Sequence, residues 1–265
     1  MSAPVPLPRS RPRGIVGLGV VALAMTAVLV SLGVWQLQRR VEKHAVIAAL
    51  DERLAAPPTA LPPRAEWPTL TRERDEFRRV SFAATFEPRP AAHVYTSGSG
   101  LRPDVTTTGA WVFAPADLAG GGTVVVNRGF APETAPGAGV SDATDAAPAD
   151  AVQLTGYLRF PERPGWFTPA ADPVRRLWFQ RDHRDMARAL AWGEPAGEVA
   201  PFYVDLEAPV PPGGVPKPGP LSVHLKDDHL QYAITWFGLA AVVIATFGFW
   251  LVGAGRGRAK RDERN

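Results

Sequence analysis

Cysteine is absent from the 265 residues of this chain. Its absence excludes a disulfide scaffold, a thiolate metal site and covalent haem attachment through C-x-x-C-H. It also removes the usual soft-ligand route to a copper carrier. Charge is missing from two long stretches. Gly14 to Gln38 contains no Lys, Arg, Asp or Glu, and neither does Leu230 to Gly255. Each exceeds the roughly 20 apolar residues that a helix needs to span a bilayer. A signal peptide has a shorter apolar region and a small-x-small cleavage site. The first stretch instead ends in Leu32-Gly-Val-Trp-Gln36, so a retained helix is expected.

Several catalytic signatures are also lacking. His183-Arg-Asp185 opens like a kinase catalytic loop, but no Asn follows at the required spacing and no Gly-rich loop with its Lys is present. A solvated helix start is the expected role. Gly120-Gly-Gly122 lacks the Gly-Lys-Ser/Thr ending of a phosphate loop and reads as a hairpin turn. Ser97-Gly-Ser-Gly100 does not have the spacing of a nucleophile elbow. None of the five histidines pairs with another at i, i+4, which argues against a tetrahedral zinc site. No enzyme class and no nucleic-acid partner is indicated.

Flanking charge sets the expected topology. Arg9, Arg11 and Arg13 precede the first span, and Arg256, Arg258, Lys260, Arg261 and Arg264 follow the second, while the segment between is slightly acidic. Positive ends stay inside, and long loops translocate largely regardless of charge. The expected plan is a cytoplasmic N-terminus (1–13), a transmembrane helix (14–38), an extracytoplasmic domain (39–228), a second transmembrane helix (229–255) and a cytoplasmic C-terminus (256–265). Arg39, Arg40 and Lys43, at the outer end of the first span, oppose this orientation weakly.

The middle domain, about 190 residues, is large enough to fold on its own core. Its strand candidates are 80–86, 109–113, 122–127, 152–158 and 201–206, by β-branched content and alternation. Helices are expected over Val41–Leu54, continuing the first span, and over Asp182–Trp192, with Asp182 as N-cap and Gly193 as stop. Pro57–Pro68 reads as a linker, Ala131–Asp150 as a mobile loop and Pro209–Pro220 as a stiff connector. The expected fold class is a membrane protein in which two transmembrane α-helices flank a mainly-β (α+β) extracytoplasmic domain.

The second span carries polar and aromatic residues in its first turns: His229, Tyr232, Thr235 and Trp236. One reading is an interfacial polar residue with belt aromatics. The other is a binding site. Asp227 or Asp228 can cap the helix, and the positive helix end disfavours imidazolium, leaving the neutral form that ligates metals. Positions 229, 232, 233 and 236 share one face, so a flat ligand bound at His229 would meet Tyr232 and Trp236. Trp35, Gln36 and Arg39 lie at the same outer depth, and Arg39 and Lys226 suit carboxylate groups at the surface.

Leu32–Lys43, Val125–Pro132 and His229–Phe237 resemble segments of the surfeit locus protein 1 family of cytochrome oxidase assembly factors. Leu32-Gly-Val-Trp-Gln-Leu-Gln-Arg-Arg-Val-Glu-Lys43 is similar to its L-G-x-W-Q-x-x-R-x-x-x-K motif. Val125-Val-Asn-Arg-Gly-Phe-Ala-Pro132 is similar to V-N-R-G-W-x-P, with Phe130 in place of Trp. His229-Leu-Gln-Tyr-Ala-Ile-Thr-Trp-Phe237 matches the closing motif throughout. Gly156–Arg159, Phe167–Pro169 and Trp178–Asp182 also fall at family positions. One departure is Lys226-Asp-Asp228 before His229, where the family usually has Arg-Asn-x.

The resemblance implies a bacterial inner-membrane assembly factor, not an enzyme, that serves the oxidase catalytic subunit. It implies haem a as a transient cofactor, with His229 as candidate iron ligand and Trp35, Arg39, Tyr232 and Trp236 around it. Haem a synthase and membrane lipid are the further partners implied. The alternative is a structural membrane chaperone that holds an oxidase subunit without haem. Asn127, Arg128 and Gly129 have two readings, a turn at a strand end or a partner-docking segment.

Overall fold

The computed structural model describes residues 12–135, 139–194, 198–222 and 227–262. Arg9, Arg11, His224, Lys226, Glu263 and Arg264 lie outside the described residues. The chain forms two compact units, Met1–Val46 with Lys226–Asn265, and Ile47–Leu225.

Two helices, α1 (Pro12–Ala55) and α4 (His229–Asp262), build the first unit. Both are long and apolar enough to cross a membrane. Leu23, Val28, Ile234 and Ile244 are exposed along them, an arrangement that suits lipid and not water. The hydroxyls of Thr26, Ser31 and Thr235 donate back to the carbonyls of Ala22, Ala27 and Gln231 at 2.7–2.9 Å. A spanning helix must satisfy its polar groups internally in this way. The helices run antiparallel: Gly33 faces Phe237, and Gly19, further back on α1, faces Phe247, further on in α4. Small residues make the seam. A Cβ on Gly33 would lie 2.6 Å from the Phe237 ring, and Ala233 and Ala240 are buried. Close approach through small residues is how helices associate where lipid removes the hydrophobic drive.

The second unit is a closed barrel with attachments. Strands β2 (Arg79–Phe86), β4 (Gly109–Leu118), β5 (Thr123–Pro132), β6 (Val152–Arg159) and β8 (Val199–Ala208) pair in the order β2-β6-β8-β5-β4. The ring closes where Ala84–Phe86 of β2 pairs with Ala116–Leu118 of β4. Closure leaves no open edge among these five strands. β5 and β8 are parallel and the other barrel pairs antiparallel. Short β1 (Thr59–Ala60) adds to β2, β3 (Ala92–Thr96) adds to β4, and β7 (Leu177–Trp178) adds to β3.

Strand alternation decides what fills the barrel. The even-numbered residues Val80, Phe82, Ala84, Phe86, Ala114, Ala116, Val124, Val126, Leu154, Leu158, Phe202 and Val204 form one core. The odd-numbered Phe113, Val125 and Tyr203 look the other way and pack with Met186 and Ala187 of helix α3 (His183–Leu190), whereas α2 (Arg72–Asp75) is a single turn before β2.

Five expectations need correction. Pro57–Pro68 is not only a linker. A 3-10 turn over Arg64–Thr69 buries Trp67, whose indole N–H donates to Pro62 O at 3.0 Å while its ring meets Phe202 edge-on at 5.8 Å. His183 is not a solvated helix start. It is fully buried against β8, Nε2 donates to Ala200 O at 2.9 Å, and burial pushes the imidazole pKa down to about 4. Asp182 caps the helix as expected, accepting from the amides of Arg184 and Asp185, but α3 ends at Ala191 in the left-handed region rather than at Gly193. In the segment Ala131–Asp150, Thr144, Asp145 and Ala146 are tied to the barrel through their carbonyls. Finally, β5 runs past Asn127 to Pro132. The Gly-rich turn is as expected, with Gly121 and Gly122 at positive φ between β4 and β5.

Candidate functional site

The Asn127-Arg-Gly129 segment lies in the middle of a barrel strand. Asn127 Nδ2 donates to Asp205 Oδ1 at 2.6 Å, and its Oδ1 accepts from the Gly129 amide at 3.2 Å. Asp205 Oδ2 accepts from Arg159 at 2.9 Å, and Arg159 also reaches Glu76 at 3.2 Å. Arg159 and Asp205 are both buried, so removing either partner would strand a charge. Arg128 donates to the carbonyls of Thr144, Asp145 and Ala146 at 2.6–3.1 Å.

Asp145 joins the same cluster through His93 Nε2 at 2.8 Å and through Arg176. Burial works to raise the Asp145 pKa, but His93 and Arg176 outweigh it and hold the carboxyl below its usual range. Gly129, at φ 123°, lets the connector pass: a Cβ there would stand 2.3 Å from the Lys217 carbonyl carbon and oxygen. Phe130 and Lys217 then exchange two backbone hydrogen bonds. Asn127 and Arg128 are 3% and 4% exposed. Their side chains are occupied internally, which favours the structural reading over docking through them.

The polar site of the membrane unit lies where α4 begins. Asp227 Oδ1 accepts the His229 amide at 3.0 Å, the side-chain cap that a helix start requires. Its other oxygen takes His44 Nε2 at 2.6 Å, with Arg40 Nε at 3.7 Å. Residual burial opposes ionisation of Asp227, but the His229 amide and His44 outweigh it, and the carboxyl sits below its usual range. A carboxylate therefore braces α4 against the continuation of α1.

His229 Nδ1 lies 2.7 Å from Gln36 Oε1. The Gln36 oxygen can only accept, so Nδ1 donates; in a neutral imidazole Nε2 then carries the lone pair. Nε2 has no protein partner among the described residues. Tyr232, one turn on, is 54% exposed. The indole N–H of Trp236, a further turn on, is enclosed without an acceptor among the described residues. On α1, Trp35 precedes Gln36 and is 48% exposed. Arg39 lies one turn on, its guanidinium 6.0 Å from the Trp35 ring centroid and 2.8 Å from Glu42. Lys226, the second cation expected here, lies outside the described residues.

The structure thus brings together His229 and Gln36, with Trp35 and Arg39 beside Gln36 on α1 and with Tyr232 and Trp236 following on α4. Sequence reasoning placed Gln36 at this depth but not as the partner of His229. It also missed the clasp of Asp227 with His44. A carboxylate two residues before a helix-starting histidine was the available signal.

The chain matches the SURF1 family profile over residues 23–241. That range holds Trp35, Gln36, Arg39, Asn127–Gly129, His229, Tyr232 and Trp236. It is 31% identical over 252 residues to the SURF1-like protein of Monosiga brevicollis, covering 88% of this chain and 87% of that one. Its identity to Surfeit locus protein 1 of Rattus norvegicus is 32% over 242 residues, covering 86% and 72% of the two chains. Its identity to Surfeit locus protein 1 of Homo sapiens is 31% over 249 residues, covering 87% and 75%. With two membrane helices flanking a barrel domain and a match over most of its length, the chain belongs to the SURF1 family, known as cytochrome oxidase assembly factors.

Proposed function

We propose that this chain binds haem a as cargo at the start of α4 and aids its insertion into the oxidase catalytic subunit, without catalysing a reaction itself. The observation that carries this reading is His229, held by Gln36 through one ring nitrogen while the other meets no protein group among the described residues. His229 would take the iron. On the same helix face Tyr232 is exposed and Trp236 half-buried, and Trp35, next to Gln36 on α1, is an exposed indole. Arg39 suits a propionate, and so does Lys226. Asp227, beside the site, is paired with His44 and Arg40, so that carboxylate does not stand as a free charge against the anionic edge of a haem. A single protein ligand suits a carrier, because one bond releases more readily than two. Haem a synthase fits as the source of the cargo and the catalytic subunit as its destination.

The accompanying topology is a bacterial inner-membrane protein with both termini cytoplasmic and the barrel outside. It rests on the basic flanks, which stay inside. A reporter active only outside the membrane is expected to work when inserted between Ala131 and Asp150 and to fail at Asn265. Activity at Asn265 would reverse the orientation.

Function is tested in cells that lack the chain. Reintroducing the wild type should restore the haem a content of the oxidase, whereas Arg39→Ala should restore it only in part. Arg39 has an exposed partner in Glu42, a pair worth about 0–1 kcal/mol, so the substitution should leave the protein folded and inserted. Full restoration by Arg39→Ala would return Arg39 to the status of a flanking charge. An oxidase with normal haem a in cells lacking the chain would contradict the function.

A further inference from the structure

We infer that Gln36 is a positioning residue for His229, accepting its Nδ1 proton and fixing the imidazole as the tautomer that carries its lone pair on Nε2. The inference rests on the reading of His229 as the iron ligand, but the geometry behind it is independent of haem. The contact is 2.7 Å between Nδ1 and the side-chain oxygen, at the short end of the ordinary N–H···O range. A neutral imidazole has one ring proton. If Nδ1 donates, Nε2 must accept, and Nε2 is the nitrogen without a partner among the described residues.

The arrangement is not the default for histidine, whose free side chain favours the proton on Nε2. Something must impose the reversed tautomer, and Gln36 is the group within reach. It comes from α1 while His229 comes from α4, so the bond also sets the ring plane relative to the helix pair. Metal-ligating histidines commonly donate their second N–H to an oxygen in this way, which fixes ring orientation and raises ligand basicity.

A simpler role for Gln36 would be to join the helices, as polar side chains do in membranes. The seam does not depend on it. Gly33 against Phe237, Gly19 against Phe247 and the buried Ala233 and Ala240 hold the pair along its length. The brace from Asp227 to His44 lies outside the bond as well. Replacing Gln36 with leucine therefore keeps the helix pair while removing the acceptor, and Gln36→Glu keeps an acceptor at the same place.

The test uses the full-length protein in lipid nanodiscs, labelled with 15N-histidine. His229 is assigned among the five histidines by loss of its signals in His229→Ala. The wild type should show a protonated Nδ1 and an unprotonated Nε2. Gln36→Leu should shift the proton largely to Nε2, and Gln36→Glu should return a proton to Nδ1. A wild-type ring protonated on Nε2, or a Gln36→Leu ring unchanged from wild type, would overturn the inference.

A second arm uses ferric haemin as probe and follows its transfer to excess apomyoglobin. Gln36→Leu should release haemin about 10–100-fold faster, the usual loss when an outer-shell partner of a metal ligand is removed, and Gln36→Glu should not. Equal release from Gln36→Leu and wild type would overturn the link to iron. If the wild type takes up no haemin while its tautomer still depends on Gln36, the iron reading of His229 fails and the positioning of its ring by Gln36 stands.

Discussion

Gly129→Val is expected to abolish the folded barrel domain. At φ 123° the residue sits where L side chains are strained, at a cost of about 1–3 kcal/mol. The larger penalty is steric. The atoms in the way are the Lys217 carbonyl at 2.3 Å and the Pro218 nitrogen at 2.4 Å. They are backbone and have no rotamer to escape into. To make room the connector must leave β5, breaking both hydrogen bonds between Phe130 and Lys217 and uncovering the Asn127–Asp205–Arg159 network behind it. Strain, lost bonds and exposed buried charge together rival the roughly 5–15 kcal/mol that holds a domain folded. Thermal unfolding of the full-length protein, followed by strand circular dichroism, checks this. A Gly129→Val protein that melts within a few degrees of wild type would contradict the role given to the close approach.

His229→Ala should have the opposite profile, with little effect on the protein and a large effect on its product. The imidazole contributes one hydrogen bond between helices, worth about 0.6 kcal/mol on average in a membrane. The small-residue seam does not involve it. The substituted chain should therefore accumulate in the membrane at wild-type levels. Haem affinity should fall by more than the roughly 10–100-fold typical of losing an outer-shell partner, because the ligand itself is gone. Haem a in the mature oxidase should fall with it. Normal oxidase haem a in the His229→Ala strain would remove His229 from the pathway.

The spans and most of the strands were legible because they follow from local chemistry. Charge-free length marks α1 and α4, and β-branched alternation marks β2, β5, β6 and β8. The missing parts depend on contacts that are distant in sequence. β3 is short, and its His93 is secured by Asp145, some fifty residues on. β5 seemed to end at Asn127 because Asn-Arg-Gly has turn chemistry; only the approach of Lys217 explains a glycine inside the strand. Trp67 in a proline-rich segment looked like linker because its burial depends on a barrel end that no local pattern predicts. Closure through β2 and β4 is likewise a matter of register.

The site divides in the same way. The i, i+3, i+7 spacing of His229, Tyr232 and Trp236 is a property of one helix and can be read directly. Two antiparallel spans bring Trp35, Gln36 and Arg39 to the depth of His229, which is also readable. The bond from Gln36 to His229 is not, because it depends on how each helix is rotated about its axis. The rotation is set by the Gly33–Phe237 contact, a packing detail with no local signature. The brace of Asp227 on His44 depends on the same rotation.

The most direct measurement is the visible spectrum and pyridine haemochrome of the full-length protein purified from cells that make haem a. The account predicts haem a in the wild type approaching one per chain, and little or none in His229→Ala purified from the same cells in the same yield. A wild type that carries no haem under these conditions, or a His229→Ala protein that keeps its full haem spectrum, would contradict it.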